Sequence, residues 1–313
     1  MAFFLSLGFA WMIYPIFIQI LKKMQIAQHV SEFAIETYKT KQRTPIFGGV
    51  VFLLVASAVS IFVSFPNALD VRFFSVILHT LLFASIGLVD DIKIIKEGKN
   101  DGLSGKTRLL FQTLFAISFV VFTLDASPIP FFGLTLTLPL WFLIPVRVFM
   151  IVGSINAFNI TDGMDGLSAG LALFVLSGLT IIALTQEAQL IVFIFALLGS
   201  LMAFLIFNFA PAKIFMGDVG SYGLGGALIM IGMVLNHEIV FIVLYSVYLV
   251  EIVCVIIQQV AVRVFKRRVF SYTPIHYAFV LKGMKDVKVV LMFYAFGALS
   301  LGLGLILFAL GGF

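Results

Sequence analysis

Asn156-Ala157-Phe158-Asn159-Ile160-Thr161-Asp162-Gly163-Met164-Asp165-Gly166 interrupts a chain that is otherwise apolar for long distances on both sides. The run from Leu140 to Val152 precedes it, and the run from Leu171 to Leu184 follows. Carboxylates at Asp162 and Asp165, between two lengths able to span a bilayer, are costly unless they meet water, a cation or a positive partner. The two Gly residues permit tight backbone that comes close to a ligand. The stretch therefore reads as a polar turn at a membrane face that holds a charged ligand. A plainer reading makes it an Asx-rich turn that ends one helix and caps the next.

The chain around it supports a membrane setting. Of 313 residues, 62% are hydrophobic and only 11% are charged, and the mean hydropathy is +1.16. That composition excludes a soluble globular domain. The expected fold is an all-α integral membrane protein, a single polytopic domain over 1–313. Ten apolar runs reach or approach the roughly 20 residues that a span needs: 3–21, 46–64, 71–89, 109–124, 140–158, 168–185, 189–209, 220–235, 239–262 and 289–310. No cleaved leader is expected ahead of Lys22, and the single Cys254 rules out an internal disulfide framework.

Basic residues set the expected orientation. Segments 22–45, 90–108 and 263–288 hold most of the 20 Lys and Arg, and the connections 65–70, 125–139, 186–188 and 236–238 hold none. With ten spans the three basic segments share one side, which becomes cytoplasmic, and both termini fall outside. The net charge of +5 thus reads as membrane topology, with no nucleic-acid partner expected. Five cytoplasmic loops result, and they carry the polar motifs.

Arg43-Thr44-Pro45-Ile46-Phe47-Gly48-Gly49 suits phosphate through basic charge and exposed backbone N–H groups, although a loop-to-helix junction can look the same. Asp90-Asp91 follow Gly87-Leu88-Val89 at a span end; adjacent carboxylates call for a cation or a raised pKa. Gly102-Leu103-Ser104-Gly105-Lys106 lacks Walker spacing, so Ser104 reads as a helix cap and Lys106 as a phosphate-neutralising charge. Asp218 lies in Phe215-Met216-Gly217-Asp218-Val219-Gly220-Ser221, at the head of a Gly-rich span. Carboxylates with almost no His or Cys favour Mg²⁺ or Mn²⁺ over zinc. Within spans, Glu251 is a functional suspect, Gln258 is set to bond a ligand or a neighbouring helix, and Arg147 has no assigned role. A transporter or flippase is the rival class, and it needs acids deep in several spans.

In this order the motifs resemble the polyprenyl-phosphate N-acetylhexosamine-1-phosphate transferases. The matching stretches are Thr44 to Gly49, Leu88 to Asp91, Gly102 to Lys106, Asn156 to Gly170, Phe215 to Ser221, and Pro274-Ile275-His276 with Leu281-Lys282-Gly283. The last of these points to the muramoyl-pentapeptide branch, which usually has three consecutive His where this chain reads His276-Tyr277-Ala278. The resemblance implies a homodimer in the bacterial inner membrane with a cytoplasmic, Mg²⁺-dependent site. It implies transfer of a sugar phosphate from UDP-MurNAc-pentapeptide to undecaprenyl phosphate, giving lipid I for peptidoglycan synthesis and UMP. UDP-N-acetylglucosamine is the alternative donor, and a non-catalytic lipid-sugar binder is a further alternative.

Within that resemblance, Asp218 and Asp162 are the expected metal ligands, and Asp90 activates or orients the lipid phosphate with Asp91 in support. Asn159 and His276 line the diphosphate region. Gly163, Met164, Asp165 and Phe215 frame the uracil, and Lys41 and Lys106 hold phosphates. Thr44, Asn156 and Gln258 complete the expected substrate contacts. A two-step route with Asp218 as nucleophile remains open at this level.

Overall fold

A computed structural model describes residues 1–26, 44–65, 70–97, 102–125, 128–131, 134–186 and 189–311. Each of the ten apolar runs is helical. They correspond to α1 (Ala2–Lys23), α2 (Gly48–Ser64), α3 (Val71–Glu97), α4 (Gly105–Phe122), α5 (Leu140–Thr161), α6 (Leu167–Thr185), α7 (Ile191–Asn208) and α8 (Gly217–Val234). The ninth run is split into α9 (Glu238–Leu244) and α10 (Ser246–Phe265). A short α11 (Ile275–Leu281) and the long α12 (Asp286–Gly311) complete the described helices. Nine of them are long and apolar enough to cross a membrane, while α2, at 17 residues, falls just short in length. The chain is a multi-pass membrane protein.

Besides the split of the ninth run, three features depart from the expected plan. The connection 125–139 contains an antiparallel hairpin, β1 (Ile129–Phe131) with β2 (Leu134–Leu136), pairing Ile129 with Leu136. Helix α3 runs on to Glu97, so Asp90 and Asp91 sit inside a helix and not at its end. The fifth loop folds into α11, and Pro274 begins it.

The bundle is organised on α8. In this helix 83% of the apolar window is buried, against 22% for α4 and α10, so α8 is the hub and those two lie at the periphery. It packs against α3, α5 and α2. Lipid is as apolar as Leu, so helix association here depends on close packing and interhelical hydrogen bonds, and small residues permit both. The hydroxyl of Ser154 on α5 donates to the Gly225 carbonyl of α8 at 2.8 Å, and Tyr245, between α9 and α10, donates to the Ser154 carbonyl at 2.9 Å.

Arg147 finds its role at the far end of α5. Its Nε and Nη2 reach Oε1 of Glu238 at 2.8 and 2.6 Å, and its Nη1 donates to the Asp125 carbonyl at 3.0 Å. Both side chains of the pair are 5% exposed. The pair ties the start of α9 to α5, about 18 Å along the helix from Asn159 at the 1.5 Å rise per residue.

Candidate active site

The site begins with the way α3 meets α8. A Cβ on Gly87 would stand 2.1 Å from the Asp218 carbonyl oxygen, so only glycine lets the two helices approach there. One turn further on, Asp91 accepts hydrogen bonds from the backbone N–H groups of Asp218 (3.2 Å) and Val219 (3.1 Å). Those are orphan donors of the first turn of α8, and a carboxylate opposite them is favoured by the helix dipole. Asp91 is thereby a cap supplied from another helix. The segment before α2 closes the other side: Gly48 N–H and Gly49 N–H donate to the carbonyls of Phe215 (2.8 Å) and Met216 (2.9 Å), and Phe215 N–H donates to the Pro45 carbonyl (2.8 Å). This corrects one sequence reading. The paired Gly N–H groups are spent on the 215–216 backbone and do not cradle a phosphate.

Asp90 points elsewhere. Residues adjacent on a helix diverge by about 100°, and Asp90, although only 1% exposed, comes within hydrogen-bonding reach of the Asp218 carboxyl. Its Oδ1 also accepts from Leu103 N–H at 2.5 Å, and its Oδ2 lies 3.8 Å from Nη1 of Arg108. Arg108 donates in turn to the Tyr222 hydroxyl at 3.2 Å. On the opposite side Nδ2 of Asn159 donates to Oδ1 of Asp218 (2.8 Å) and to Ser221 Oγ (2.9 Å). Asp90, Asn159 and Asp218, from α3, α5 and α8, therefore converge.

The 162–168 turn lies beside them. Ser168 donates a short hydrogen bond to Oδ1 of Asp162. Burial pushes the Asp162 carboxyl up to about 6, opposed by that bond and helped by nearby Asp165. Asp162 is close enough for its charge to act on Asp91. Asp165, 6% exposed, accepts from Ala212 N–H at 3.1 Å, so it anchors the loop ahead of α8. Three tyrosines hold the turn's carbonyls: Tyr277 on Gly163 (2.7 Å), Tyr294 on Gly166 (2.6 Å) and Tyr248 on Ser168 (2.6 Å). Asn208 joins both loops, accepting from Gly166 N–H (3.0 Å) and donating to the Ile214 carbonyl (2.9 Å).

His276 is fully buried against this turn and paired with Glu251, with Nδ1 3.1 Å from Oε1. Glu251 also accepts from the backbone of Ile275 and His276. The acid that most favoured a transporter is thus absorbed in local structure. Gln258 is likewise committed, accepting from Val269 N–H and Phe270 N–H and donating to the Phe270 carbonyl. Asn156 donates to Gln112 on α4 at 2.9 Å. Met164 is buried, Phe215 and Thr44 are half-buried, and Lys106 is exposed in the first turn of α4, where Ser104 accepts from Thr107 N–H as the expected cap. Lys41 lies outside the described residues. Sequence reading gave no role to Arg108, Ser168, Asn208, Ser221, Tyr277 and Tyr294, although Ser168 and Ser221 lie within the matching stretches.

Among the described residues, no group of three or more His, Cys, Asp or Glu side chains is placed to hold a metal by itself. Mg²⁺ rarely uses such a cage, taking one or two carboxylates and completing its shell with substrate phosphates and water. The donor set fits that pattern. A cation would relieve the repulsion between the neighbouring carboxylates of Asp90 and Asp218.

Residues 73–236, which hold the acidic centre and the turn beside it, match the description of glycosyl transferase family 4. The chain belongs to that family. Over 310 residues it is 36% identical to the phospho-N-acetylmuramoyl-pentapeptide-transferase of Acetivibrio thermocellus, covering 96% of this chain and 93% of the relative. Proteins of the same name from Halalkalibacterium halodurans (34%, covering 91% and 90%) and Bacillus cytotoxicus (33%, covering 93% and 92%) are also similar along nearly their whole length.

Proposed function

We propose that the chain transfers phospho-N-acetylmuramoyl-pentapeptide from UDP-MurNAc-pentapeptide to undecaprenyl phosphate, giving lipid I and UMP. The observation that carries this reading is the meeting of Asp90, Asp218 and Asn159 from three separate helices. A lipid phosphate oxygen attacks the β-phosphorus of the donor; the bond to the bridging oxygen of the α-phosphate breaks, and UMP leaves with that oxygen. Asp90 takes the proton of the acceptor phosphate or orients it, and Arg108 beside it offers a positive contact. Asp218 and Asp162 would hold Mg²⁺, with Asn159 fixing the Asp218 carboxylate. When bound, the cation neutralises the diphosphate and polarises the phosphorus.

The acceptor's chain needs an apolar path. A groove of about 400 Å³ between α4 and α5, lined by Leu109, Thr113, Ile117, Pro145, Val148 and Val152, begins one residue from Arg108 and suits a prenyl tail. The basic segments draw in the polyanionic donor electrostatically. This reading has ten spans, both termini outside, the site facing the cytoplasm of the inner membrane, and a homodimer. The test is UMP release by purified protein with undecaprenyl phosphate, Mg²⁺ and either UDP-MurNAc-pentapeptide or UDP-N-acetylglucosamine. The reading expects the muramoyl donor to be faster by a wide margin. A faster N-acetylglucosamine donor would move the chain to another branch, and no UMP from either would end the transferase assignment.

A further inference from the structure

Glu251, in the second turn of α10, is fully buried, with two backbone N–H donors and the His276 ring facing its two oxygens. Oε2 accepts from Ile275 N–H at 2.8 Å; Oε1 accepts from His276 N–H at 3.1 Å and faces His276 Nδ1 at 3.1 Å. A carboxyl group inside a bundle is tolerated only when its oxygens are satisfied in this way. Two backbone bonds alone would settle α11. The third, to the ring, is a separate matter, because it decides which ring nitrogen carries the proton.

The other nitrogen is left with nothing. His276 is 0% exposed, and its Nε2 has no hydrogen-bond partner. A buried, unpaired polar atom costs free energy unless something completes it. Nε2 lies against Gly163, where a Cβ would come within 2.6 Å of it, and Gly163 adjoins Asp162. Packing keeps the ring from turning away. Tyr277 lies over it, with ring centres 4.2 Å apart, and donates to the Gly163 carbonyl; Phe293 meets it edge-on at 6.5 Å.

We propose that Glu251 is a positioning residue for His276, holding a proton on Nδ1 so that Nε2 is presented to an anionic phosphate oxygen of the nucleotide beside the 162–163 turn. With a carboxylate on one side and a phosphate on the other, both neighbours favour a second ring proton, and Nε2–H then donates to the phosphate. Only a proton is taken up, from solvent, and no covalent bond changes. The inference rests on the proposed transferase reading for the identity of the anion. The ring's proton position does not.

The experiment is ¹⁵N NMR of the full protein carrying ¹⁵N-histidine. There are only 4 His in the chain, and the His276 signal is identified by its loss in His276→Asn. The expected result is a protonated Nδ1 in the free protein and two protonated nitrogens once UDP is added with Mg²⁺. An unprotonated Nδ1 in the free protein, or an unprotonated Nε2 with UDP bound, overturns the proposal. Kinetics of Glu251→Gln supply a second readout. Losing a charge-assisted contact predicts a rise of about tenfold in KM for the UDP-sugar, with KM for the lipid acceptor within about twofold. Equal rises in both would show a structural role only. If the wild type releases no UMP while Nδ1 is protonated, the reaction is wrong and the pairing stands; the wrong proton position in an active enzyme sinks this inference alone.

Discussion

Asp90 and Asp91 are neighbours in sequence with different work. Asp91 is spent on two N–H groups of α8, whereas Asp90 reaches Asp218. Replacing each with Asn should separate the roles. Asp90→Asn keeps the fold and is expected to lower UMP release by about a thousandfold or more, the scale of losing a positioned acid–base group. Asp91→Asn retains one acceptor for the α8 donors, so it is expected to keep measurable turnover and lose about 1 kcal/mol of stability, the usual scale of a weakened cap. Thermal unfolding in detergent alongside UMP release checks both, and equal losses of activity would contradict the division. Sequence alone shows two adjacent acids and cannot show which one faces the site, because their directions depend on a helix that continues to Glu97.

At the scale of elements, the close approach of α3 to α8 sets the geometry. Gly87→Ala would drive a methyl to 2.1 Å from the Asp218 carbonyl oxygen. Backbone cannot yield as a side-chain tip does, so overpacking of about 1–3 kcal/mol is expected. It should appear as a lower unfolding temperature together with loss of turnover; an active, fully stable Gly87→Ala would show that the helices can separate freely. The Gly-rich character of α8 was visible in the sequence, and the Ser104 cap was readable there. The pairing of 45–49 with 215–216 was not, since it joins backbone to backbone across a long separation and leaves no mark in residue type.

For the whole molecule, hydropathy carried most of the fold: every apolar run became helix, and the acids of the site fell near the ends of those runs, with Glu251 the exception. The hairpin at 129–136, the break at Tyr245 and helix α11 escaped because each is short and set by tertiary contacts. Arg147 escaped because its partner Glu238 lies in a distant element. That pair offers a test of how the two ends of the molecule are coupled. Arg147→Ala leaves Glu238 buried and unpaired, at an expected cost of about 3–5 kcal/mol, while the double change to Met at both positions is expected to regain most of the stability. KM for the UDP-sugar should stay unchanged in the double variant, because the pair lies far from Asn159. A shift in KM without loss of stability would contradict that separation.

The central claim is that Asp218, at the head of α8, and Asp162, in the turn after α5, would hold one divalent cation for the donor's diphosphate. Electron paramagnetic resonance of Mn²⁺ bound to the purified protein in the presence of UDP measures it directly. The account predicts one tight Mn²⁺ in the wild type, weakened at least about a hundredfold, or about 2.7 kcal/mol, by Asp218→Asn. Unchanged Mn²⁺ binding in a folded Asp218→Asn protein would contradict it.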